Sequence, residues 1–156
     1  MNIVSYIGVL LLTFFCMEGV TWCTHKFVMH GFLWVLHADH HRPGKRFFQK
    51  NDAFFLIFAV PSFLAILWGT LYGPIGLQAA GFGIMAYGAA YFLVHDVVIH
   101  QRFKWFSRSD NPYIRSIRFA HKMHHKHLDK EHGEAFGLLF VARRYRQKRQ
   151  KKDQVL

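Results

Sequence analysis

The chain has 156 residues, about one domain's worth, of which 52% are apolar and 17% aromatic, more than a soluble protein of this size usually carries. Its formal charge of +11 would suit nucleic acid, but long uncharged apolar runs argue against that partner and for a membrane. Cys16 and Cys23 fall in the first apolar run with no second pair elsewhere, which leaves no basis for a disulfide framework or a cysteine zinc site.

In chain order, Ile3–Cys23 has the length of ~20 residues that a helix needs to cross the hydrocarbon core, interrupted only by the charged side chain of Glu18 near one end. No Lys or Arg precedes this run and no small-residue cleavage site follows it, so it reads as a retained span rather than a removable signal peptide. Residues 53–71 and 75–94 are uncharged and qualify as a second and third span, joined through Tyr72-Gly73-Pro74. The third is rich in Gly and Ala, the composition of a helix that packs closely on its neighbours.

All 20 Lys and Arg fall within residues 26–50 or 102–152. With three spans both regions emerge on one face, which the positive-inside rule assigns to the cytoplasm, with the N-terminus outside an inner (cytoplasmic) membrane. Residues 135–142 are apolar but too few to span, and Arg143-Arg144-Tyr145-Arg146 follows them, so they are expected to form an interfacial helix anchored on anionic lipid. The basic tail, 143–156, is expected to be flexible. The fold class is therefore all-α: one membrane-embedded domain, 1–156, with three transmembrane helices, a short interfacial helix and a histidine-rich cytoplasmic cap.

Ten of the 12 histidines form four groups: His25 and His30; His37, His40 and His41; His95 and His100; His121, His124 and His125. All lie at or just beyond the cytoplasmic ends of the spans. At ~100° per residue, positions i, i+3 and i+4 share a helix face, so each triplet presents its imidazoles to one side. The pairs five residues apart point ~140° from each other; such a pair would serve two ions, or one ion only after a break in the helix. Crowded imidazolium ions repel, whereas neutral imidazole is a common metal ligand, so the groups read as a metal site. Ten ligands exceed one tetrahedral zinc and suit two ions of higher coordination number; ligand type alone leaves Fe, Cu, Ni and Zn open. Asp39, Asn51, Asp52 and Asp96 are candidates to fix the imidazole tautomers. A metal transporter would place ligands near the bilayer midplane, whereas these all gather at one face.

The motifs "HKFVMH" (25–30), "HADHH" (37–41), "HDVVIHQRF" (95–103) and "HKMHH" (121–125) resemble, in order and separation, those of the membrane di-iron hydroxylases of the fatty acid hydroxylase superfamily, and within it the bacterial β-carotene hydroxylases. The likeness runs from about residue 20 to 140 and extends to Trp34, Asn51-Asp52 and "FGLLF" at 136–140. Gln49 departs from it: the subfamily pattern has Glu there, and Gln keeps the hydrogen-bonding shape without the charge. The resemblance implies the ten histidines as ligands of two Fe ions, no catalytic residue apart from them, and O2-dependent hydroxylation of β-ionone rings, β-carotene to zeaxanthin through β-cryptoxanthin. It further implies a carotenoid delivered from the bilayer, membrane lipid as surroundings and an external ferredoxin-type electron donor, since the chain has no cysteine set for an iron–sulfur cluster and no dinucleotide fingerprint. A ring ketolase, a desaturase or another lipid hydroxylase would use the same metal chemistry. Phe54, Phe55, Phe58, Tyr87, Tyr91 and Phe92 are expected along the path of the substrate.

Overall fold

The computed structural model describes residues 1–42 and 47–146, and among these the chain is helical with no strand. Helix α1, Ile3–Cys23, begins where the Asn2 carboxamide accepts the Ser5 amide at 2.8 Å. It runs directly into a π-helical segment, π1, Thr24–Phe32, which ends at the non-helical backbone of Gly31. The short α2, Trp34–His41, then turns across the end of the bundle. Helix α3, Ala53–Tyr72, and helix α4, Ile75–Tyr91, form an antiparallel pair, and α4 continues into a second π-helical segment, π2, Phe92–Ile99. Finally α5, Pro112–His124, starts from the Asn111 side chain, which accepts the Tyr113 and Ile114 amides.

Three helices among the described residues are long and apolar enough to cross a membrane: Ile3–Phe32, Lys50–Tyr72 and Ile75–Ile99. Their outer faces expose Val4, Leu12 and Phe15 on the first and Phe55, Phe63 and Trp68 on the second. An apolar surface this continuous is costly in water and ordinary in lipid, and a helix satisfies its own backbone there.

Helix α4 lies between α1 and α3, and its glycines make that position possible. A Cβ at Gly83 would stand 2.6 Å from the Leu10 carbonyl oxygen, and one at Gly81 would stand 2.7 Å from Ile66 Cγ1. The small-residue composition thus serves helix packing, as the sequence implied. The turn between α3 and α4 needs Gly73, whose φ of +91° is left-handed and whose N–H returns to the Gly69 carbonyl.

Two expectations need correction. Residues 135–142 form no helix; they run as an irregular strap back over the bundle. The reason is a competing set of backbone partners: the Leu138, Leu139 and Phe140 amides all donate to one oxygen of Glu18 instead of to carbonyls four residues earlier. Of the basic tail, residues 143–146 are not frayed but form a helical turn, with Tyr145 buried and its hydroxyl donating to Glu134 at 2.6 Å; residues 147–156 lie outside the described residues.

Candidate metal centre

The ten histidines meet at one end of the three long helices, in two adjoining groups. One contains His25, His30, His37, His41 and His124, all buried; the other contains His40, His95, His100 and His121. Within each group the ligand atoms lie within 4.8 Å of one another. His125 joins the second group's edge, its Nε2 2.8 Å from that of His121 and its ring stacked on His41 at 4.5 Å.

Backbone form decides who belongs where. The i+5 pairs, which an α-helix would splay, are brought together because each sits in a π-helical segment. Leu33 N–H donates to Val28 O at 3.0 Å, and His100 N–H to His95 O at 2.9 Å, both five residues back. With about 4.4 residues per turn, positions five apart diverge by only about 50°. His25 and His30 therefore serve one group, and His95 and His100 the other. The triplets behave in the opposite way: each shares a helix face but is divided between the groups. Helix α2 sends His37 and His41 to the first group and His40 to the second, while α5 sends His124 to the first and His121, with His125 beside it, to the second. The i, i+4 pair lies about 40° apart and the i+3 residue on its far side, so a short helix wedged between two sites feeds both.

The hydrogen bonds fix the tautomers in the first group. Nδ1 of His25 donates to the Phe136 carbonyl (3.1 Å), His30 to Lys130 (3.2 Å), His41 to His127 (2.8 Å) and His124 to Glu134 (2.8 Å). His37 Nδ1 donates to the Asn51 side-chain oxygen at 2.6 Å. A carbonyl oxygen only accepts, so the proton is on Nδ1 and each Nε2 presents a bare lone pair. Yet Nε2 of His37 stands 3.2 Å from that of His25 and 3.1 Å from that of His41, and Nε2 of His30 stands 3.3 Å from that of His124. Lone pairs facing each other with no proton between them repel, and a cation removes the repulsion. Metal–nitrogen bonds of about 2.1 Å would put ligand atoms at right angles about 3.0 Å apart and opposed ones about 4.2 Å apart, in keeping with this spread. In the second group His40 Nδ1 donates to Gln49 Oε1 at 2.8 Å while its buried Nε2 has no hydrogen-bond partner among the described residues. The residues fit a metal centre on donor type, spacing and tautomer.

Burial keeps the rings outside the spans neutral, with neighbouring imidazoles reinforcing it. His37 and His124 are pulled down to about 2, His125 to about 3 and His41 to about 4; His40, His100 and His121 also fall far below the ordinary imidazole range.

The four candidates for fixing tautomers divide. Asn51 does so directly for His37. Asp96 lies 3.6 Å from His95 Nδ1 and pairs with Arg102, which also binds Asp52 at 2.7 Å, clamping the start of α3 to π2. Asp52 thus holds the frame rather than a histidine, and Asp39 accepts the Lys50 amide and hydrogen-bonds no imidazole among the described residues. Gln49, noted in the sequence only as a departure, is the partner of His40. The four backbone carbonyls left no trace in the sequence. Glu18 did leave one, as the single charged residue of Ile3–Cys23: it is buried, and its other oxygen accepts the Tyr87 hydroxyl at 2.7 Å.

Beside the second group, between α5 and the strap, lies a cavity of about 290 Å³ lined by Trp22, Ile99, Ile117, Leu138 and Val141 and reaching His121. None of the six aromatics expected along the substrate path lines it. Tyr91 instead stacks on His95 (4.7 Å between ring centres), Tyr87 is tied to Glu18, and Phe55 faces outward.

Comparison with known proteins gives the family of the chain. The fatty acid hydroxylase family model matches residues 10–142. The β-carotene hydroxylases of Pseudescherichia vulneris and Pantoea ananas are each 38% identical over 85% of this chain and 75% of their own length. The chloroplastic β-carotene 3-hydroxylase of Gentiana lutea is 38% identical over 73% of this chain and 36% of its own, longer one. No solved structure matches. Two histidine groups that could each hold a metal ion, at the end of three membrane-length helices, are thus accompanied by a family match over most of the chain, and the protein belongs to the fatty acid hydroxylase family.

Proposed function

We propose that this chain is a β-carotene 3-hydroxylase, converting β-carotene to zeaxanthin through β-cryptoxanthin by O2-dependent hydroxylation of each β-ionone ring. The observation that carries the reading is the set of facing Nε2 lone pairs in the first histidine group, with a second histidine group adjoining it, in a chain 38% identical to named β-carotene hydroxylases. His25, His30, His37, His41 and His124 would hold one Fe ion; His40, His95, His100 and His121, with His125, would hold the other. Bound there, the irons would supply the activation of O2. The chain's own residues do the rest: Asn51, Gln49 and the backbone carbonyls of His127, Lys130, Glu134 and Phe136 orient the imidazoles, burial excludes water, and Tyr91 packs on His95. The apolar cavity at His121 suits a hydrocarbon ring arriving from the bilayer.

The single domain would sit in the inner membrane with its N-terminus outside and the histidine groups on the cytoplasmic face. The cations around the centre would receive an acidic ferredoxin-type donor. The test is to express the chain and a His124→Ala variant in a bacterium that accumulates β-carotene, and to separate the pigments. Zeaxanthin and β-cryptoxanthin from the wild type alone are expected; unchanged β-carotene with the wild-type protein present in the membrane would overturn the substrate, and a keto product would identify a ketolase.

A further inference from the structure

Glu18 is the residue of the long helices that the chemistry above leaves without a task. An ionisable side chain in a membrane-crossing helix is costly unless its charge is fully met, and it marks function more often than packing. Here it is met completely. Oε1 accepts three consecutive amides, Leu138 (2.9 Å), Leu139 (2.9 Å) and Phe140 (3.1 Å), from a segment some 120 residues away. Oε2 accepts the Tyr87 hydroxyl (2.7 Å) from α4. Three successive N–H groups turned toward one anion form a concave nest, which an irregular strap adopts only when something holds it.

The strap held in this way reaches the centre on both sides. Upstream, the Phe136 carbonyl accepts the Nδ1–H of His25 and the Glu134 carbonyl, at the start of the strap, accepts that of His124, so the strap and the residue before it set two of the five tautomers of the first group. At the nest and just after it, Leu138 and Val141 form one wall of the cavity at His121. A shift of the strap would therefore misdirect two ligands and reshape the space for substrate together.

We propose that Glu18 is a positioning residue: its carboxylate, from within the first span, fixes the strap at Leu138–Phe140 and so the orientation of His25 and His124 and the wall of the substrate cavity. What the device needs is an acceptor at a given reach, not a charge. Gln at position 18 offers the same oxygen to the three amides, and its N–H can donate to the Tyr87 oxygen in place of the present bond. Asp keeps the charge but withdraws it by one methylene, about 1.5 Å, beyond hydrogen-bond reach of the three amides.

The inference about the cavity rests on the hydroxylase reading; the inference about the ligands does not. The experiment purifies wild type, Glu18→Gln and Glu18→Asp from membranes, and measures iron per chain after loading together with kcat and KM for β-carotene. Glu18→Gln is expected to keep at least half of the wild-type iron and kcat. Glu18→Asp is expected to fall at least tenfold in kcat, to lose iron and to raise KM. The reverse order, or both variants within twofold of wild type in every readout, would overturn the proposal. Wild type that binds iron and leaves β-carotene untouched would sink the substrate reading alone, and the iron content of the two variants would still decide the role of Glu18.

Discussion

The two histidine groups are built from the same kinds of parts and anchored differently. Each takes two imidazoles from a π-helical segment, and α2 and α5 divide their triplets between them in opposite proportions. In the first group every Nδ1 is held by an oxygen, four of them backbone carbonyls of residues 127–136 that no substitution removes. In the second, His40 depends on the Gln49 side chain, and His95 Nδ1 has no hydrogen-bond partner among the described residues. The first group is held mostly by the main chain, whereas the one Nδ1 support seen in the second among the described residues, next to the cavity, is the Gln49 side chain at His40. Mutation can reach the support of the second half more readily than most of the supports of the first.

The strongest break of the first half is to remove a ligand. His124→Ala is expected to abolish ring hydroxylation, by more than the roughly 10–100-fold that loss of an imidazole's supporting partner costs in metal affinity or activity; pigment chromatography and iron content read it. Removing the supporting partners tests the contrast itself. Asn51→Ala, which frees His37, and Gln49→Ala, which frees His40, are each expected to weaken metal binding roughly 10–100-fold. Titration of the metal-free protein with iron should then show one weakened and one unaltered binding step in each variant, and identical titration curves would dissolve the distinction between the groups.

Acid should act on both halves. His41, held at about 4 in the fold, ionises near its ordinary value when unfolded, so between about 6.5 and 4 the unfolded chain binds a proton the folded chain refuses. The contribution of His41 to the stability of the metal-free protein is therefore level only well above pH 6.5 and is lost as pH drops through that window. His125, His37 and His124, with folded values of about 3, 2 and 2, extend the fall to lower pH. Thermal unfolding in detergent at stepped pH measures this, and a midpoint that does not move between pH 7 and 4.5 would contradict it.

Away from the centre the effects shrink. Gly83→Val would push a side chain against Leu10 and Thr13 and is expected to cost about 1–3 kcal/mol, seen as a lower thermal midpoint with iron content unchanged in the folded fraction. Smallest is His127→Ala. The His127 carbonyl, not its imidazole, accepts from His41, so hydroxylation is expected to stay within about twofold of wild type. A larger loss would bring an eleventh histidine into the centre.

Much of this was legible in the residues. Three uncharged runs of membrane length became the three long helices because in lipid a helix is the one open-ended form that satisfies its own backbone. The histidine spacings pointed to groups that could hold metal, because crowded imidazoles tolerate one another when neutral and neutral imidazole is a metal ligand, and the fold gathers them into two such groups. Glycines in the third span announced close packing, since the absence of Cβ is a property of the residue itself.

What the tertiary structure decided was everything that depends on backbone partners from afar. Whether His25 and His30 meet turns on a π-helical segment, a change of hydrogen-bond register that side-chain type does not encode. Which of His37, His40 and His41 serves which group depends on α2 being wedged between both. Residues 135–142 have the composition of a short helix and form a strap, because Glu18 offers their amides an acceptor from the far end of the chain. Residue type determined which groups could bind metal and which helices are apolar enough for lipid; the fold alone determined which carbonyl holds each of four imidazoles, because backbone oxygens are identical in every residue and only position distinguishes them.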